Sequence, residues 1–518
     1  MRDVTVVLAV YNVMPYLTKC LDSLVEQTIG RDRLEIVAVD DGSTDGSGAE
    51  LDRYARRYPG TIKVLHQANS GGPAAPSNRA LEIATGRYVF FIGADDFLGP
   101  DALRRMVAAA DEYGSDVIVA KMAGVNSRWV PKDIFSHDQI DVDLFTSPLP
   151  FALSNTKLFR RELIERHHLR YPEDLPVGSD QPFTLEACVR AQRITVLADY
   201  EYYYAVRRHN SGNITYRSPH ELRLECTERL MAFTATLLEP GPRRDAINYR
   251  HLHTELCRLL QPDFLPLDRA TQERLIAGIG RLVKENLTEE LSARLDVSRR
   301  LRLQLAAAGR LDELISVIEE NAAKRKPPTV IDGNHVFIAY KGFRDPALGL
   351  PDAWFFVTGD PDEALVRQLS VTGLAWQSRT GALGLTVAAS GPVPAGRLAA
   401  TPITVSAGAV CVAAVARGTS VQVWLPVSGI IESSTGRGDR LRVKIHPGAP
   451  PAGDREILVR NDQELTTGRR LTWHRQRPYM VNARSNSDGK LVIDVVPVTA
   501  RQVINRLRRT ISGGSKKA

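Results

Sequence analysis

Five cysteines in 518 residues (Cys20, Cys188, Cys226, Cys257 and Cys411) are too few and too scattered for a disulfide framework, and no CxxC spacing offers a zinc site. No stretch reaches the roughly 18 uninterrupted apolar residues of a membrane span. The first apolar run, Val4–Val10, is too short to cross a bilayer. It also lacks the charged start, long apolar middle and small-residue cleavage site of a signal peptide. A cytoplasmic location is therefore expected. No GxGxxG follows that run, which excludes a Rossmann dinucleotide site, and no fixed-period repeat is present. Acidic residues are missing from 501–518, where Arg501, Arg506, Arg508, Arg509, Lys516 and Lys517 supply most of the net charge of +7. A basic end of this kind attracts anionic lipid, polyanionic polymer or nucleic acid.

What is present is the composition of a folded chain, 43% hydrophobic and 25% charged, long enough for two to four domains. Residues 1–218 alternate strand-like and helix-like segments. Strands are expected at Val4–Val10, Leu34–Val39, Ile62–His66 and Tyr88–Ile92, and helices at Met14–Gln27, Leu51–Tyr58 and Asp101–Tyr113. This spacing predicts an α/β domain with a mostly parallel sheet, which binds ligands at the carboxyl ends of its strands. Residues 219–326 carry helical periodicity at Leu222–Leu238, Leu275–Leu287 and Leu301–Ala323, and read as a helical linker domain closed by Lys324–Pro328. From 327 onward short β-prone runs fit one or two all-β sandwich modules. If there are two, the Ser433–Gly438 break divides them into 327–433 and 434–500. The segment 501–518 is a basic tail in which Val503, Ile504, Leu507 and Ile511 oppose arginines. It is either an interfacial amphipathic piece or a solvated terminal helix.

Two acidic motifs close apolar strands. In Asp40-Asp41-Gly42-Ser43-Thr44-Asp45 a carboxylate at a strand end can accept the N3–H of uracil, while Gly42 and Ser43 permit a tight turn. The alternative is an acidic turn that merely starts a helix. In Gly93-Ala94-Asp95-Asp96 adjacent carboxylates repel unless a cation or hydrogen bonds offset them. A divalent ion would do so and would also neutralise a diphosphate. The alternative there is a helix N-cap ahead of Pro100.

With these motifs in order, residues 1 to about 215 resemble the nucleotide-sugar transferases of family 2, which have the GT-A fold. The resemblance rests on Ala9-Val10-Tyr11-Asn12 at the end of strand one, Asp40 to Asp45, Asn69-Ser70-Gly71-Gly72-Pro73 through Asn78-Arg79, Gly93-Ala94-Asp95, and Ser179-Asp180-Gln181-Pro182-Phe183. It implies a UDP-sugar site formed by Ala9, Tyr11, Asp41, Asn69, Arg79, Ala94, Asp95, Arg207, His209 and Ser211. Asp95 and His209 would hold Mn2+ or Mg2+, and Asp180 would be the catalytic base of an inverting transfer. Arg207 and His209 would stabilise the departing diphosphate. The chain departs from the family pattern in three places: Gly93 replaces the first Asp of Asp-x-Asp, Ser77 stands where many relatives carry Arg, and Ala9 replaces a common Pro.

The domain layout is similar to the poly(ribitol-phosphate) N-acetylglucosaminyltransferases of wall teichoic acid. It implies a UDP-sugar donor, an anionic polymer or glycan acceptor and a homotrimer held by C-terminal modules. Under this reading the tail meets polymer or the inner face of the plasma membrane, with no nucleic-acid partner. The competing readings are a capsular, exopolysaccharide or lipid-linked glycan transferase and a catalytically idle polymer-binding protein.

Overall fold

The computed structural model describes residues 2–208, 218–377, 381–389, 393, 396–434, 438–448, 457–458 and 465–499. His209, Ser211, and the basic tail with its Val503–Ile511 segment lie outside the described residues.

The amino-terminal region runs β1 (Val4–Val10), α1 (Tyr16–Val25), β2 (Leu34–Asp40), α2 (Ser47–Arg57), β3 (Ile62–His66), α3 (Ala74–Glu82), β4 (Tyr88–Gly93), β5 (Phe97–Leu98), α4 (Ala102–Tyr113), β6 (Val117–Ala120), β7 (Met122–Val125), β8 (Leu158–Arg160), α5 (Arg161–Arg166), α6 (Asp180–Arg190), β9 (Ile194–Leu197) and β10 (Tyr203–Val206). The main sheet has the order β3-β2-β1-β4-β8-β6-β9. All pairs are parallel except those made by β8, which is antiparallel to β4 and β6. Side chains of a strand alternate between faces. Val4, Val6, Leu8 and Val10 therefore join one core, while Val7, Val37 and Val39 join the other. Burial on both faces explains why β1 and β2 read as unbroken apolar runs. A smaller sheet, β5-β10-β7, stands beside the end of β4.

The expected helical region follows as α7 (His220–Leu237) and α8 (Pro242–Arg250), the latter continuing into a π-helical turn at His251–Leu256. It belongs to the same compact unit as the sheet, which spans Met1–Leu295 and Arg302–Glu319. The single helix expected over Leu301–Ala323 is two, Val297–Ala307 and Leu311–Ala322. Gly309 ends the first with φ +68°, and the Arg310 N–H donates to Leu305 O at 2.9 Å. A left-handed glycine just past the last turn is the usual way to stop a helix, and periodicity alone does not show it.

The second unit is Asp296–Leu301 with Glu320–Ala518, and its described residues beyond 328 are dominated by antiparallel sheets. The expected division at 433/434 cuts through one of its sheets. Ile403–Ala407 pairs with Asp439–Pro447, which pairs with Leu491–Pro497. Val405, Val423, Ile445, Val481 and Ile493 share one core, so one hydrophobic interior spans both expected modules. Among the described residues no helix is long and apolar enough to cross a membrane.

Candidate active site

The register of three neighbouring strands brings the acidic motifs together. Val10 stands opposite Asp40, and Ala9 stands opposite both Val39 and Gly93. The tips of β2 and β4 flank that of β1, about 10 Å apart. Tyr11, 50% exposed, leaves the middle tip with an open ring face.

Asp41 is buried just past β2 and already surrounded by donors. Gln67 Nε2 reaches its Oδ1 at 2.6 Å, while the Ser70 N–H and hydroxyl reach Oδ2 at 3.1 and 3.0 Å. Asn69 Nδ2 donates to Asp41 O at 3.0 Å, and Asn69 Oδ1 accepts from the Gly71 N–H. The first turn is laced to the second: Asn12 Oδ1 accepts from the Thr44 N–H at 2.8 Å and Asp45 Oδ2 from the Met14 N–H at 2.8 Å. Asp41 thus fixes the nucleotide-side loop at the strand tip. Arg79 acts one step behind, donating to His66 O at 3.1 Å beside Gln67. Asn78 is a clamp, bonding the Tyr171 main chain at 2.9 and 2.8 Å.

Gly42 has φ +75°, and a Cβ there would meet the Asn69 nitrogen at 2.8 Å. Gly42→Ala should therefore lower stability by about 1–3 kcal/mol and weaken UDP binding. Thermal unfolding with and without UDP measures both effects, and an unchanged melting temperature would refute the strain argument.

At the β4 tip the methyl of Ala94 enters the core, which leaves its main chain to border the site. Asp95 is half-buried, and Arg208 Nε donates to its Oδ2 at 2.6 Å. Asp96 is held by the Tyr203 hydroxyl at 2.5 Å and the Val206 N–H at 2.7 Å. Burial and the neighbouring Asp95 push its carboxyl up to about 7. Neither aspartate caps α4, whose N-cap is Asp101. Arg207 is exposed, with its N–H on Val125 O at 3.2 Å. The adjacent Arg208, absent from the expected site, meets Asp95.

Asp180 opens α6. Phe183, one turn on, stacks on Tyr171 at 4.5 Å and packs edge-on against Phe91 of β4 at 5.3 Å, which ties α6 to the strand carrying Asp95. The preceding loop reaches the nucleotide side, where a Cβ on Gly72 would stand 3.8 Å from Pro176 O. Burial raises the Asp180 carboxyl above the ordinary aspartate range, opposed by the charges of Lys157 and Arg250. Arg250 itself donates to Gln181 Oε1 at 2.6 Å and pairs with Glu255 at 2.8 Å. Residues five apart lie about 140° apart around an α-helix, whereas a π turn brings them toward one side. The π-helical turn is what lets both reach Gln181.

Among the described residues no three His, Cys, Asp or Glu side chains group as a metal cage. Asp95 retains Oδ1 free of Arg208, which suits a cation completed by diphosphate oxygens rather than by protein.

Comparisons with known proteins agree with this geometry. The family profile "Glycosyl transferase family 2" matches residues 5–167, and "Glycosyl transferase TarS linker domain" matches residues 225–318. A poly(ribitol-phosphate) beta-glucosyltransferase of Bacillus spizizenii is 38% identical over 237 residues, covering 46% of this chain and 37% of that relative. The chain thus spans well under half the length of that relative. The glycosyltransferase YibD of Escherichia coli is 30% identical over 304 residues, covering 54% of this chain and 84% of YibD. A crystal structure of part of Staphylococcus aureus TarS in complex with UDP-GlcNAc superposes with TM-score 0.57 at 29% identity, over 69% of this chain and 99% of that one. A longer S. aureus TarS structure shares the fold over 96% of this chain and 86% of its own, with TM-score 0.60 at 22% identity. The strand-tip carboxylates, the loop that encloses Asp41 and these matches lead to one assignment: the chain belongs to glycosyltransferase family 2.

Proposed function

We propose that this chain is an inverting glycosyltransferase that moves a hexose or N-acetylhexosamine from a UDP-sugar to a hydroxyl of a polyol-phosphate cell-wall polymer. The observation that carries the reading is the junction of three elements at one sheet edge. Asp41 sits in its donor-lined turn, Asp95 closes β4, and Asp180 is anchored to β4 through Phe183 and Phe91.

Asp41 takes the uracil edge and Tyr11 its face, with Asn69 and Gly71-Gly72 bordering the nucleotide. Asp180 accepts the proton of the acceptor hydroxyl as its oxygen bonds to the anomeric carbon. The bond from that carbon to the β-phosphate oxygen breaks, and UDP leaves with the electron pair. Arg207 and Arg208 place positive charge beside the departing diphosphate. Asp95 is the residue that would hold Mn2+ or Mg2+, which when bound offsets diphosphate charge. The reading places the protein in the cytoplasm, where UDP-sugars are made. It assigns the C-terminal unit to a homotrimer, supported by the domain layout, and the basic tail to polymer or to the inner membrane face, supported by its arginines and lysines.

UDP release from UDP-GlcNAc and UDP-glucose, measured with and without poly(ribitol phosphate), tests the proposal. Release should depend on the polymer, fall on treatment with EDTA and return with Mn2+ or Mg2+. Equal release without polymer removes the acceptor assignment, and full activity in EDTA removes the cation.

A further inference from the structure

The helical region grips the first turn of α6 through one side chain, and both ends of that side chain's amide are engaged. Gln181 Oε1 accepts from an Arg250 guanidinium N–H at 2.6 Å, and Gln181 Nε2 donates to Glu255 Oε1 at 3.3 Å. Arg250 and Glu255 close the triangle as an ion pair at 2.8 Å, with side chains only 10% and 14% exposed. Behind Arg250 stands the buried His251. The Thr234 hydroxyl of α7 donates to Leu230 O, so it accepts from His251 Nε2, and Nδ1 is left to accept from Arg250 at 3.3 Å. Burial, aided by the Arg250 charge, pushes His251 down to about 3, so it serves as a neutral acceptor. The loop ahead of α6 rests on the same region. Leu175 packs with Cys226 and Leu230 of α7, and Asp174 pairs with Arg229 at 2.8 Å.

Stability does not account for this arrangement. A buried ion pair gives little over apolar side chains of similar volume, and a π turn is a rare form found often at functional sites. Arg250 Nε is moreover buried with no hydrogen-bond partner among the described residues. What the arrangement does secure is the attitude of α6. Gln181 and Phe183 lie roughly 160° apart around the helix, and Asp180 lies between them. Phe183 packs on Phe91 of β4, and Gln181 is bonded to the π-helical turn. Two anchors on nearly opposite sides stop the helix from rolling, which sets the direction of the residue between them.

We propose that Gln181 is the positioning residue of the base: through its amide the Arg250–Glu255 pair fixes the first turn of α6 and aims Asp180 at the acceptor hydroxyl. This rests on Asp180 being the base. The helical region then belongs to the active site, and it acts on proton transfer rather than on the nucleotide.

The test uses the whole 518-residue chain with UDP-GlcNAc and poly(ribitol phosphate), and compares the wild type, Gln181→Met, Arg250→Lys and their double variant. Gln181→Met leaves the ion pair whole and removes only the link to α6. It should lower kcat about 10- to 100-fold, as a base displaced by about 1 Å would. The KM for polymer and the dissociation constant for UDP should stay within about twofold of the wild type. The acid limb of the pH profile should stay in place, because no charge has changed. A lysine ammonium lacks the fork that serves Gln181 and Glu255 together, so Arg250→Lys should lose kcat as well. The double variant should be no worse than the larger single loss, since both changes break one link. Gln181→Ala replaces Gln181→Met should the latter fail to fold, with thermal unfolding as the check. Wild-type kcat in a folded Gln181 variant, with Asp180→Asn inactive, overturns the role of Gln181 and leaves the base in place. A raised KM for polymer at unchanged kcat in Arg250→Lys also overturns it, because Arg250 would then be holding the acceptor. An active Asp180→Asn removes the base and this inference with it.

Discussion

Asp180→Asn should lower kcat by about 10²–10⁴-fold while leaving the dissociation constant for UDP unchanged. The substitution keeps the side chain's volume but removes the charged oxygen that takes the proton. The nucleotide contacts assigned to Asp41, Asn69 and Tyr11 stand on other elements, so binding and turnover should separate. Isothermal titration with UDP and single-turnover transfer with poly(ribitol phosphate) measure the two. The wild-type pH profile carries the companion expectation. Burial raises the Asp180 carboxyl above the usual aspartate range, so turnover should fall as pH drops through that raised value, because the protonated acid cannot accept a proton. A folded Asp180→Asn variant with undiminished turnover removes the base. One that loses UDP affinity and turnover together shows that the residue supports the nucleotide loop instead.

What the sequence made legible was local. Asp41 could be found because its turn is written in adjacent letters: a strand, a carboxylate, then Gly42 at a left-handed position. The sheet could be found because strands buried on both faces are unbroken apolar runs. Arg208 could not, because which of two neighbouring arginines meets Asp95 depends on how β10 sits between β5 and β7. Tyr203 was hidden likewise, as one of three tyrosines until the pairing of β10 turned its hydroxyl toward Asp96. Lys157 reads as an ordinary surface charge, and only the carbonyls of a folded-back turn make its burial tolerable. In the C-terminal unit the Ser- and Gly-rich break looked like a boundary. Pairing across it joins segments more than thirty residues apart, such as Ile403 with Pro447, and is invisible to local pattern.

Gly93→Asp, which would write the family's first motif aspartate back into this chain, should damage the protein rather than strengthen its cation site. A Cβ at Gly93 would stand 2.8 Å from Asp96 Oδ2 and 3.1 Å from Asp95 Oδ1. The Gly93 N–H is also spent on the Tyr203 hydroxyl at 3.1 Å, and that hydroxyl holds Asp96. A third carboxylate would join two that already repel, where one has been pushed up to about 7. Burying an uncompensated charge of this kind costs about 3 kcal/mol or more. The added acid would have a folded pKa above its unfolded value of about 3.9. Its penalty is therefore complete above the folded value and disappears below the unfolded one. Thermal unfolding should show a larger deficit for Gly93→Asp at pH 7.5 than at pH 5, while Gly93→Ala should show a smaller, pH-independent loss from crowding alone. A Gly93→Asp protein as stable as the wild type and more active with Mn2+ would mean that the β4 tip has kept room for the missing ligand. The contacts from Tyr203 to Asp96 and from Arg208 to Asp95 argue that it has not: in this chain a hydroxyl and a guanidinium already offset the charge of the β4-tip carboxylates.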